Sequence, residues 1–167
     1  MKDFHQDLDR SELEQDNPII REIYAKYFPN MSSMTAVKRD TYGQMIGIDR
    51  ILVLNNSKTV KVEEKLRYAD YGDILLELWS DVEKKKPGWA VKDLECDYIA
   101  YIILPSKTGY VWPYLAFKRA MEKDLKLWMT FGDLRETKNK GYYTQNLSVP
   151  TSVFLTSIAS HMKVELI

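Results

Sequence analysis

The sequence predicts a mixed α/β protein. Three observations carry the α/β prediction. Apolar residues recur at helical spacing after Asn17-Pro18, strict two-residue alternation runs through 59–66, and 98–104 is apolar on both faces. The length of 167 residues, with 45% hydrophobic and 29% charged side chains, fits one domain spanning 1–167.

The elements follow in chain order. Residues 1–17 carry six acidic side chains against two basic ones and read as an acidic N-terminal arm or short solvated helix. Asn17 can cap a helix, and Pro18 suits its first position. Ile19, Ile20, Ile23, Tyr24 and Tyr27 form the apolar stripe, and Pro29 lies past its end. A polar loop with Ser32 and Ser33 follows. Residues 45–54 are rich in aliphatic and β-branched side chains and read as a strand. Asn55-Asn56-Ser57-Lys58 makes a turn, and 59–66 is the return strand. There Val60, Val62 and Leu66 share one face while Lys61, Glu63 and Lys65 share the other. Strands are also expected at 74–79 and at 98–104, the latter buried on both sides.

Between them a loop holds Lys84-Lys85-Lys86-Pro87-Gly88-Trp89. Residues 109–112 read as a short edge strand or turn. Pro113 opens a helix to about Lys126, and 132–141 is charged without apolar periodicity, so it reads as a loop. Residues 142–144 suit a short strand. Ser148 or Val149 caps a last helix, opened by Pro150 and running to about Ala159, and 163–167 alternates like an edge strand.

Composition excludes several function classes. Lys plus Arg equals Asp plus Glu at 24 each, so bulk charge does not drive nonspecific nucleic-acid binding. The one cysteine, Cys96, permits neither an intrachain disulfide nor a Cys-rich zinc site, which fits a reducing cytoplasm. No apolar run approaches the roughly 20 residues of a spanning helix, and the N-terminus does not read as a signal peptide.

One constellation carries chemistry. Asp49 interrupts an apolar strand, and Glu63 and Lys65 share a face of the strand that follows. A short turn joins the two strands, so they are adjacent and antiparallel. Two carboxylates pointing the same way suit a hard divalent cation, which takes carboxylates, water and phosphate oxygens. A neighbouring lysine can orient a water or stabilise charge developing on a phosphate. The plainer reading is a cross-strand salt bridge on a solvated hairpin face.

Ile48-Asp49 followed by strand, turn and Glu63-Glu64-Lys65 resembles the PD-(D/E)XK nuclease superfamily, the group of restriction endonucleases and Holliday-junction resolvases. Residues 44–104 are most similar to uncharacterised phage and prokaryotic members, including Glu77 and the Pro87-Gly88-Trp89 and 96–101 runs. Isoleucine stands where the motif commonly has proline. The resemblance implies a central mixed β-sheet flanked by helices, the restriction-endonuclease-like core, with Mg²⁺ dependence and DNA cleavage. A donor set of carboxylates without thiolate or imidazole admits Mn²⁺ as well. It implies Asp49 and Glu63 as metal ligands and Lys65 as the catalytic lysine. Glu64 lies on the opposite face by alternation. Members often add an upstream helical acid, for which Glu22 is the candidate, and many that cut two strands are homodimers.

Other residues are less specific. Glu77 shares a face with Leu75 and Trp79 and suits either a further active-site carboxylate or a lysine partner. Asp97 reads as a turn or cap residue. Lys84, Lys85, Lys86, Lys138 and Lys140 can contact phosphates, although lysine runs on loops are usually solvated. Tyr42, Tyr142 and Tyr143 can stack on bases, with packing the default. His5 and His161 have no ligand spacing. The rival to a nuclease is a catalytically inactive module on the same fold that binds nucleic acid or another partner.

Overall fold

The computed structural model describes residues 17–37, 42 and 46–162. The acidic arm and the strand expected at 163–167 lie outside these residues. In chain order the elements begin with α1 (Pro18–Tyr27), β1 (Met31–Ala36), β2 (Arg50–Leu54), β3 (Thr59–Arg67), β4 (Asp73–Asp81) and β5 (Lys86–Pro87). There follow β6 (Tyr98–Ile103), β7 (Thr108–Pro113), α2 (Tyr114–Phe131), β8 (Asp133–Lys138), β9 (Tyr143–Pro150) and α3 (Thr151–Met162). The protein is therefore mixed α/β, but its strands form two sheets rather than one central sheet. Contacts within the described chain gather into two compact units, one from 17–70 and 94–114, the other from 71–93 and 115–162.

The first unit holds a five-stranded sheet in the order β1-β2-β3-β6-β7. β1, β2 and β3 form an antiparallel meander, β6 runs parallel to β3, and β7 returns antiparallel at the edge. Helix α1 is capped by the Asn17 side chain, which accepts from Ile19 N–H at 3.0 Å. It lays Ile20, Ile23 and Tyr24 on Leu52, Val60, Val62, Ala100 and Ile102. Alternation thus commits one face of β2, β3 and β6 to the core under α1.

Two expectations change here. The segment around Ser32 and Ser33 is strand β1, not loop, because its backbone pairs with β2 and Ser32 Oγ donates to the Val53 carbonyl. The strand expected from residue 45 begins at Arg50. Ile46 is helical and Gly47 turns the chain with φ +73°, where a Cβ would lie 2.4 Å from Leu94 Cδ2.

The second unit holds an antiparallel sheet in the order β5-β4-β9-β8. The Lys84–Trp89 loop therefore contains a two-residue strand. Trp89, Phe117, Trp128 and Phe154 form its aromatic core, with Phe117 and Trp128 rings 6.4 Å apart and Trp128 and Phe154 rings 5.0 Å apart. Burial of Trp128 carries α2 past Lys126 to Phe131. His161 Nε2 lies 2.9 Å from Asp124 Oδ2, and Ser157 donates to the same oxygen, tying α3 to α2.

The charged stretch read as a loop at 132–141 contains β8, exposed at all six positions and held by its ladder to β9. Pro113 and Pro150 end strands rather than open helices, which start at Tyr114 and Thr151. Ser148 and Val149 lie within β9, and the Ser148 hydroxyl donates to Asp73 instead of capping α3. Among the described residues no helix is long and apolar enough to cross a membrane.

Candidate active site

The register of β2 against β3 builds the site. Arg50 pairs with Val62, Ile51 with Lys61 and Leu52 with Val60. Asp49 lies one residue before that ladder, and its carboxylate reaches the β3 backbone at Glu64 N–H, between Glu63 and Lys65. Glu63 and Lys65 share the face turned away from α1. The Asp49 carboxylate is near enough for both charges to act on it. Lys65 Nζ donates to Glu63 Oε1 at 2.5 Å, with the Glu63 side chain 6% and the Lys65 side chain 25% exposed.

Asp49 stands just before β2 rather than inside it. Its backbone is fixed on both sides, with Asp49 N–H donating to the Val62 carbonyl at 2.9 Å and Val37 N–H donating to the Asp49 carbonyl at 2.8 Å. β2 ends here while β3 runs on, so the Glu64 N–H has no strand partner on that side. The Asp49 carboxylate fills the gap, with Oδ2 accepting that N–H at 2.8 Å. Oδ1 accepts no hydrogen bond from the described residues.

The neighbours on this face are apolar. Ile99 pairs with Glu63 and Tyr101 with Lys65, and Trp112 pairs with Ile99; all three are buried. Desolvation first, and then the Glu63 charge, push the Asp49 carboxyl from 3.8 up to about 7, against the opposing pull of Lys65 and the Glu64 N–H. With both carboxylates ionised, Asp49 and Glu63 carry one negative charge more than the Lys65 ammonium neutralises. That deficit is what a divalent cation would fill, and oxygen donors suit Mg²⁺ or Mn²⁺. Cys96 lies near enough that burial, with the Glu63 charge, pushes its thiol up to about 12, so it stays protonated and offers no soft ligand. Among the described residues no group of three or more His, Cys, Asp or Glu is placed to hold a metal ion. Water, backbone carbonyl and substrate oxygens would complete the coordination of an ion held by Asp49 and Glu63.

The back of the same strands carries a second ionic group that sequence reasoning missed. Arg50, 2% exposed, pairs through Nε with Glu64 Oε1 and through Nη2 with Oε2 at 3.0 Å. Tyr24 Oη donates to Glu64 Oε1 at 2.6 Å. Burial and the Glu64 charge push the Tyr24 phenol well above its ordinary range, so it remains a donor. The signal was present in the sequence: Arg50 and Glu64 carry opposite charges at core-facing positions of adjacent strands.

The remaining candidates are elsewhere. Glu22 is exposed on α1, whose buried face packs on the Glu64 side of the sheet, so it does not join Asp49 and Glu63. Glu77 lies on β4 in the second unit, partly buried and opposite Asn146. Lys84, Lys85, Lys86, Lys138 and Lys140 are exposed in that unit, with Lys84 paired to Asp81 at 3.1 Å and Lys138 5.9 Å from the Tyr143 ring centre. Asp97 is a cap: its Oδ2 accepts from Lys61 N–H at 2.8 Å at the entry to β6. A cavity of about 440 Å³ opens between α1 and β7, lined by Lys26, Tyr27 and Lys107 among others, and includes none of the three site residues. No family model, curated protein or solved structure matches the chain.

Proposed function

We propose that this protein is a Mg²⁺-dependent nuclease of the PD-(D/E)XK type that hydrolyses phosphodiester bonds in DNA. The observation that carries the reading is the Asp49 carboxylate held on the Glu64 N–H, between Glu63 and Lys65, which pair with each other on one face of β3. The β2–β3 hairpin with β6 parallel to β3 makes that sheet mixed, which supports the reading. DNA as substrate rests on the motif resemblance.

In this reading Asp49 and Glu63 hold the ion, and Asp49 must shed its proton to do so. A bound Mg²⁺ supplies Lewis-acid stabilisation of charge on the phosphate oxygens. The Lys65 ammonium, anchored on Glu63, orients the attacking water or meets the charge that develops on the phosphate. The Glu64 N–H keeps Asp49 Oδ2 in place and leaves Oδ1 for the ion.

A second reading is favoured by the same Lys65–Glu63 pair. As a plain salt bridge it would serve a nuclease-fold module that binds without cutting. Incubation with labelled duplex, single-stranded and branched DNA, in Mg²⁺ or EDTA, separates the two. The nuclease reading expects Mg²⁺-dependent cleavage of at least one shape, lost in Asp49→Asn. Binding with no cleavage in Mg²⁺ or Mn²⁺ overturns it.

A further inference from the structure

We propose that Tyr24, Arg50 and Glu64 form a positioning clamp that sets the metal-binding geometry of Asp49 from the far side of the sheet. The inference rests on the metal-dependent reading above and adds residues that the motif does not contain. Each strand residue of the clamp is the chain neighbour of a site residue. Arg50 follows Asp49, and Glu64 stands between Glu63 and Lys65.

Alternation sends Glu64 to the face opposite Glu63 and Lys65, so whatever fixes its side chain fixes the backbone between them. The connection is direct at one point. The Glu64 side chain is held by Arg50 and by Tyr24 at 2.6 Å, while the Glu64 N–H holds Asp49 Oδ2 at 2.8 Å. One residue thus grips the core with its carboxylate and the candidate ligand with its backbone. Arg50 spans the two strands that carry the ligands, tying the Asp49 end of β2 to the Glu63 segment of β3. Tyr24 adds α1 to the same grip.

Groups that orient a ligand commonly change metal affinity tenfold or more when removed. A brace that serves stability alone would not do so in a protein that remains folded. The test is calorimetric titration of Mg²⁺ into the full chain, for wild type, Tyr24→Phe and Glu64→Gln, with melting temperatures measured on each. Ser157→Ala is the control, because it removes a hydroxyl bonded to Asp124 in the second unit and touches neither ligand.

Both clamp variants are expected to bind Mg²⁺ about tenfold more weakly while folded. The control is expected to melt lower with unchanged affinity. Tyr24→Phe loses only a hydroxyl and decides the matter if Glu64→Gln does not fold. Wild-type affinity in a folded Tyr24→Phe overturns the clamp and leaves the metal reading standing. A wild type that takes up no Mg²⁺ overturns both, since there is then no ligand geometry to set.

Discussion

Glu63 and Glu64 are adjacent, identical and both largely buried, yet the sheet gives them opposite surroundings. On the α1 face, Glu64 meets a buried guanidinium and a phenol that satisfy its oxygens. On the other face, Glu63 shares one lysine with a second carboxylate, and that second carboxylate is left with its proton affinity raised to about 7. The difference lies in partners, not in burial. A buried carboxylate matched by its own cation is a structural element, whereas two carboxylates sharing one cation retain unspent affinity for a further positive charge.

The largest effect should come from breaking the matched side. Arg50→Ala leaves Glu64 as a buried charge with only a tyrosine, and is expected to destabilise the fold by about 3–5 kcal/mol, read from urea denaturation. A loss below about 1 kcal/mol would mean that the back face is wetter than its geometry indicates.

On the unmatched side the cost should fall on rate. Lys65→Ala is expected to cut turnover by roughly a hundredfold or more, about 2.7 kcal/mol of transition-state stabilisation, with DNA affinity little changed. Single-turnover cleavage and fluorescence anisotropy on one preparation check this. Loss of affinity with an unchanged rate would make Lys65 an ordinary phosphate contact.

The smallest effect sharpens the electrostatic contrast. Because the folded Asp49 carboxyl sits near 7 and the unfolded one near 3.8, its protonated form favours folding. That contribution is complete below about pH 4 and is lost as pH rises through about 7. In metal-free buffer, wild type should therefore lose a few degrees of melting temperature relative to Asp49→Asn between those limits. Parallel profiles for the two proteins would show that Asp49 ionises normally.

Much of the site was legible in the sequence because period-two alternation survives in β3. Val60 and Val62 mark the core face, so Glu63 and Lys65 are assigned to the other, and the short turn at 55–58 returns the chain so that the Asp49 carboxylate meets the Glu64 N–H between them. The fold was less legible wherever long-range pairing decides. β1 has no apolar alternation, and β8 is exposed throughout, so only their partners make them strands. The proline rule failed at Pro113 and Pro150 because each sits at the last position of a strand that leads straight into a helix. Glu22 could not be placed from helical spacing alone, since what excludes it is the face on which α1 packs. Arg50 was passed over as one charge in an apolar run, although that burial is itself the clue to Glu64.

The most direct test of the account exchanges the fates of the two glutamates. Single-turnover cleavage of labelled DNA across a Mg²⁺ titration should be measured for wild type, Glu63→Gln and Glu64→Gln. Glu63→Gln is expected to cleave at no Mg²⁺ concentration, because a proposed ligand is gone. Glu64→Gln is predicted to cleave, with a raised Mg²⁺ requirement. Cleavage by Glu63→Gln at the wild-type rate, or activity lost in Glu64→Gln alone, would contradict the assignment of the two faces.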